Sequence, residues 1–205
     1  MVLASSRRPL SKPTRRIAIT LAVSALCMFN SGMAWAQNGT VKLMVGFPAG
    51  GGTDAIARVL ADKLKDTLGS PVVVENKAGA GGQIAAQTLK AAAPDGTTLF
   101  LTHDHTISIL PLVVKNPGFE PARDFVAVGG FATFVNALAV SGGTPAKSMD
   151  EYVAWVQKKG AGKDTVGVPA PASVPEFLVK MVGQKYKLDL QSAPYRGSAP
   201  MMGDM

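Results

Sequence analysis

Apolar and polar positions along the chain follow two periods, and each change of period marks an element. Residues 41–45, Val-Lys-Leu-Met-Val, are an apolar run of strand length. From Thr53 the apolar positions fall at helical spacing. Ile56, Val59, Leu60, Leu64 and Leu68 form one stripe, with Asp62, Lys63, Lys65 and Asp66 mostly off it. Thr53 is the expected N-cap, Asp54 suits the first turn, and Gly69 is the expected stop. Residues 71–74 are β-branched and continuous, which predicts a second strand buried on both faces. A helix is predicted over 83–92, a turn at 93–96 and a third strand over 97–102. The apolar stretch 107–114 is interrupted by Pro111 and predicts a short helix; 125–128 and 136–140 read as strands. Ser148 with Glu151, and Ser173 with Glu176, have the spacing of capping boxes. The helices they open are expected to bury Tyr152, Trp155 and Val156 in one case and Phe177, Leu178, Met181 and Val182 in the other. Strands are predicted at 165–168 and 188–191, and residues 193–198 turn into a further helix.

Strand, loop and helix therefore repeat, with the glycine-rich or polar loop always after the strand. That order predicts an α/β fold with parallel strands, whose loops gather at the carboxyl edge of the sheet, where ligands bind. The first such loop is Phe47-Pro48-Ala49-Gly50-Gly51-Gly52-Thr53-Asp54. Glycines at a helix N-terminus can cradle an anion with backbone N–H groups; the alternative is that they serve turn geometry alone. A phosphate-binding P-loop is disfavoured, because Gly52 stands where that motif needs its lysine. The second corner, Gly79-Ala80-Gly81-Gly82, lacks dinucleotide-binding spacing.

His103-Asp104-His105 raises the question of a metal, but these are the two histidines of the chain and no third ligand is in view. Pocket lining or an Asx-turn accounts for them better, and no cofactor is expected. A secreted hydrolase lacks support, since there is no G-x-S-x-G elbow and both histidines share one loop. Asp54 could bond back to its loop, meet an amino group on a ligand, or act only as a helix-terminal charge. Arg196 could pair with a ligand carboxylate or form a surface or hinge salt bridge.

The first 36 residues read as a secretory signal peptide. Arg7, Arg8, Lys12, Arg15 and Arg16 form the basic region, 17–29 the apolar region, and Ala34-Trp35-Ala36 the cleavage site. The apolar run is too short to span a bilayer. The general secretory and twin-arginine routes both stay open. Excision changes the charge argument, for the remaining 169 residues carry 16 Lys+Arg against 14 Asp+Glu. The basic balance of the whole chain is mostly targeting, and no nucleic-acid partner is expected. Cys27 leaves with the signal, so disulfides and a cysteine nucleophile are excluded from the remainder.

Phe47 to Asp54 with Arg58, Val73-Val74-Glu75-Asn76-Lys77-Ala78-Gly79-Ala80-Gly81-Gly82, Ala92-Ala93-Pro94-Asp95-Gly96, Pro145-Ala146-Lys147-Ser148 and Tyr195-Arg196-Gly197-Ser198 stand in an order that resembles the substrate-binding receptors of tripartite tricarboxylate transporters, the Bug family. The resemblance implies a periplasmic binding protein-like, two-domain α/β fold of the Venus-flytrap type (type II), here incomplete at the C-terminus. Domain 1 would cover 37–140 and domain 2 residues 141–205, with a hinge at 141–145. It implies a periplasmic receptor, not an enzyme, monomeric when full length, that passes a small organic anion to membrane transporter subunits. The anion would be a di- or tricarboxylate, an amino acid or an aromatic acid. A truncated remnant that no longer binds is the alternative. Carried over by position, the ligand-binding residues are Phe47, Ala49, Gly50, Gly51, Gly52, Thr53, Asp54, Ala80, Gly81, Gly82, His103, Asp104 and Thr106, then Ala170, Ser173, Tyr195, Arg196 and Gly197. The chain departs from the family pattern at 169–175, where prolines replace glycines and remove donors.

Overall fold

A computed structural model describes residues 39–160 and 162–205. The signal peptide read in residues 1–36, Cys27 included, lies outside the described residues. β1 (Val41–Val45) is the centre of a three-stranded parallel sheet, flanked by β2 (Val72–Asn76) and β3 (Thr98–Leu101) in the order β2-β1-β3. Leu43 lies opposite Val74 on one side and Leu99 on the other. A central strand is covered on both faces, and Leu43, Met44 and Val45 are accordingly buried.

α1 (Gly52–Leu68) and α2 (Gln83–Ala91) are the crossover helices. α1 ends where expected, with Gly69 in the left-handed conformation and its N–H donated to the Lys65 carbonyl. Its start lies two residues before the expected N-cap. The N-cap is Gly51 rather than Thr53, and no side chain caps it. Its buried face is also rotated: Asp54, Ala57 and Ala61 are buried, while Ile56, Val59 and Leu68 are exposed. Small side chains let a helix lie close on a sheet, so Ala57 and Ala61 are buried while Leu60 packs on the same core only partly buried. Leu43, Val45, Phe47, Ala57, Ala61 and Leu101 make this core.

β2 departs from the expectation of burial on both faces. It is an edge strand, and Val73 is half exposed. After β3 the chain makes a π-helical turn (His105–Ile109) that passes into α3 (Leu110–Val113), the short helix expected there. α4 (Pro121–Asp124) follows, tied to α2 by a Lys90–Asp124 ion pair of 2.9 Å. Residues 125–128 and 136–140 are not strands. Among the described residues no neighbouring strand offers them a ladder, and Val126 and Val135 are each 91% exposed.

The second sheet has two parallel strands, β4 (Lys163–Val168) and β5 (Asp189–Pro194), with Val166 opposite Ser192. α5 (Met149–Gly160) packs here, and Ala146, Tyr152, Val156 and Leu188 form the core. Its capping box is present: Glu151 N–H donates to Ser148 Oγ at 3.2 Å, while the Glu151 carboxylate accepts from Lys147 N–H at 2.7 Å. At α6 (Val174–Tyr186) only half of the second box forms. Glu176 accepts from Ala172 N–H, but Ser173 turns its hydroxyl to the Ala170 carbonyl at 2.6 Å. α6 buries Val179 and Gly183, whereas Phe177, Leu178 and Met181 are exposed and Val182 only partly covered. A two-stranded sheet covers one stripe of a helix, and no other described element lies over the remaining apolar face. α7 (Ser198–Asp204) completes the described chain. No helix among the described residues is long and apolar enough to cross a membrane.

Candidate functional site

The first corner is fixed from below by Asp54. Its carboxylate is 3% exposed and accepts from Gly50 N–H at 3.0 Å, from Arg58 Nε and Nη2 at 2.9 and 3.0 Å, and from Asn76 Nδ2 at 2.9 Å. Asn76 Nδ2 also donates to the Phe47 carbonyl at 3.0 Å. The Arg58 hydrogen bonds hold the Asp54 pKa down to about 2, against the opposing effect of burial. Of the roles open to Asp54 in the sequence, the bond back to its own loop is the one the geometry shows.

The second corner rests on the turn after β3. Thr106 Oγ1 donates to the Gly81 carbonyl at 2.8 Å. Gly81 has φ +65°, and a Cβ there would stand 2.4 Å from His105 Nε2, so the imidazole is pressed against bare backbone. His103 stacks on Phe47 with centroids 4.9 Å apart and meets the edge of Phe134 at 5.7 Å. Burial pushes the pKa of both histidines down, Asp104 opposing it in each case. Among the described residues no three His, Cys, Asp or Glu side chains gather into a metal-binding group.

The facing wall comes from the ends of β4 and β5. Tyr195 N–H donates to the Val168 carbonyl and Gly197 N–H to the Pro169 carbonyl, both at 2.8 Å. A Cβ on Gly197 would lie 2.8 Å from Pro48 Cδ, so the Tyr195-Arg196-Gly197 turn is seated directly on the first corner.

Two adjoining concavities result, sharing Phe47 and Pro169. The larger, about 540 Å³, is lined among the expected residues by Phe47, Gly51, Gly52, Thr53, His103, Asp104, Ala170 and Ser173. Its other walls are mostly apolar, including Ile56, Leu101, Phe131, Phe134 and Val174. The smaller, about 220 Å³, brings Phe47, Ala80 and Gly81 against Pro171, Tyr195 and Arg196. Ala49, Gly50, Asp54, Gly82, Thr106 and Gly197 line neither of these two; Asp54, Gly82, Thr106 and Gly197 are buried beneath the loops. Arg196 is exposed, with no carboxylate partner among the described residues. His105, which lies within the 102–106 loop of the family pattern but is not among the individual residues carried over, also lines the larger cleft. Its only signal in the sequence was its place two residues beyond His103 at a strand exit.

The prolines at 169–175 thus supply apolar wall where backbone donors were expected. The polar groups beside that wall are backbone of the two glycine corners, the Ser173 region, the histidines and Arg196.

The model of the tripartite tricarboxylate transporter family receptor matches residues 56–205. The UPF0065 protein in the gbd 5'region of Cupriavidus necator is 35% identical over 162 residues, which is 79% of this chain and 49% of that protein. Among solved structures, the periplasmic binding protein BugD is 33% identical with a TM-score of 0.67. An R. palustris protein solved with adipate is 30% identical with a TM-score of 0.75. Both structural matches cover 80% of this chain and 55% of the other. The chain therefore spans about half the length of the relatives it matches. It shares the α/β fold of periplasmic binding proteins, and the family is one of receptors rather than enzymes. The order of the glycine corners, the parallel sheet they leave and the match over 56–205 all agree: this chain belongs to the tripartite tricarboxylate transporter receptor family.

Proposed function

We propose that the protein is a periplasmic solute-binding receptor that captures a small organic carboxylate and delivers it to the membrane subunits of a tripartite tricarboxylate transporter. The observation that carries this reading is the cleft itself, where both glycine corners of the first sheet face the 169–173 and 195–197 loops of the second. Residues 37–140 and 141–205 are then two lobes, and a ligand touching both favours the closed state. Backbone N–H groups and Arg196 supply the positive potential an anion needs. The apolar wall of Ile56, Leu101, Phe134 and Val174 favours an acid with a hydrocarbon or aromatic body over a compact hydroxy-acid. That the related R. palustris protein was solved with adipate supports the same class.

The test is thermal denaturation with a panel of di- and tricarboxylates, amino acids and aromatic acids. A ligand at a hundred times its Kd adds about 2.7 kcal/mol of stability and a clear upward shift. Adipate and aromatic acids are expected to outrank citrate. No shift across the panel overturns the reading in favour of a fragment that no longer binds ligand.

A further inference from the structure

The exit of β3 holds a cluster of buried polar atoms without partners. Neither ring nitrogen of His105 nor Thr102 Oγ1 has a hydrogen-bond partner among the described residues, and His103 Nδ1 meets only Asp104 Oδ1, at 3.4 Å. All three residues line the larger cleft, and His105 is only 3% exposed. Buried polar groups are almost always satisfied, so several orphans converging on one cavity mark a place where a ligand completes the bonding. The fold holds this imidazole in a confined place. It presses the ring against Gly81, at a φ that favours glycine, and hangs the turn from the Gly81 carbonyl through Thr106.

Resting on the receptor reading above, we propose that His105 is a ligand-binding residue of the cleft, donating a ring N–H to a carboxylate of the bound anion, and that capture of the anion carries one proton from solvent onto this imidazole. The charged surroundings support it. The second corner (residues 79–82), β3 and cleft residues 129–136 present no titratable side chain to the ring, and neither do residues 169–175 of the opposite wall. What faces it is His103, with ring centroids 6.4 Å away, and Asp104 on its own turn. Burial and the neighbouring His103 push the ring's pKa below its ordinary value in the free protein, with Asp104 opposing them. A carboxylate entering the cleft supplies the missing counter-charge and raises the ring's proton affinity. Since the bound state then holds more protons than the free state, anion affinity rises as pH falls. The rise runs between the bound-state pKa and the lower free-state pKa, and flattens outside that window.

The test uses adipate as the probe and isothermal calorimetry between pH 8 and pH 6.5, where its carboxyls stay ionised. Each pH is measured in buffers of different ionisation enthalpy. The parent chain is expected to take up close to one proton on binding and to gain up to about tenfold in affinity per pH unit. His105→Gln keeps a polar group but cannot hold the proton; it is expected to bind adipate with a flat pH profile and no uptake. His103→Gln is expected to retain the uptake. Proton NMR of the free chain should show His105 neutral at pH 7. Adipate binding with buffer-independent heats overturns the inference and leaves the receptor reading intact, as does a free His105 already protonated at pH 7. Uptake lost in His103→Gln but kept in His105→Gln moves the role to His103. Absence of any adipate binding by the parent chain removes the reading on which the inference rests.

Discussion

Asp54 accepts four hydrogen bonds from three residues, Gly50 among them, and these bonds help fix the shape of the first corner. The carboxylate titrates near 4 when the chain is unfolded and near 2 in the folded protein. A depressed pKa contributes stability that is complete above the unfolded value and lost as pH falls through the folded one. Asp54→Asn is expected to cost about 1–3 kcal/mol at neutral pH, since it weakens the charge-assisted hydrogen bonds that Gly50, Arg58 and Asn76 donate to a buried carboxylate. It should also flatten the loss of stability between pH 4 and pH 2. Thermal melts of parent and variant over pH 2–7 check both; equal melting at neutral pH would sink the idea. Asp54 was legible as one of three roles because an acid in a first helical turn has few things to do. The part played by His105 was not. Which of two histidines turns inward depends on the π-helical turn at His105–Ile109, and a one-residue widening of a helix leaves no trace in apolar spacing.

At the scale of elements, strands and helices were readable where a period ran uninterrupted, and faces were readable only where large residues packed. All five strands of the two sheets overlap stretches read as strands, although β4 starts two residues earlier and β5 runs three residues further than expected, and α5 carries its capping box as the spacing required. The rotation of α1 was hidden because hydrophobic periodicity weights size, whereas Ala57 and Ala61 are buried for being small. Residues 125–128 and 136–140 show the converse. Their pattern suits a strand, but a strand needs a neighbour, and sequence does not say whether one is in reach. On α6 the same gap between pattern and cover leaves Met181 61% exposed beside Phe177 and Leu178. Phe177→Gln with Met181→Gln should therefore change stability by less than about 0.5 kcal/mol and reduce concentration-dependent association. Val179→Ala, two residues from each and on the covered face, should cost more than about 1 kcal/mol. Chemical denaturation and light scattering of the three chains decide it; a double variant as damaging as Val179→Ala would show that the face is covered after all.

For the molecule as a whole, the two sheets have separate cores, and the route between them is residues 125–148, which carry no regular structure. Backbone without ladder bonds and with exposed side chains is where proteases cut first. Limited proteolysis should nick between residues 125 and 145 before any site in β1–α2 or β4–α6. Early cuts inside either sheet would argue against lobes divided near residue 140. The family pattern made the order of these parts visible, and the prolines at 169–175 marked the wall that differs. Sequence did not show that this wall would become the apolar side of the larger cleft.

The seating of Gly197 on Pro48 has a consequence for how the protein comes to be folded. These residues are about 150 positions apart, and a contact of such long range closes only after the ordering entropy of the intervening chain has been met. Each parallel sheet can assemble from segments close in sequence, so the pocket is the last part of the molecule to appear. During synthesis the chain is without this cleft, and on refolding the cleft is expected to re-form after helix and sheet.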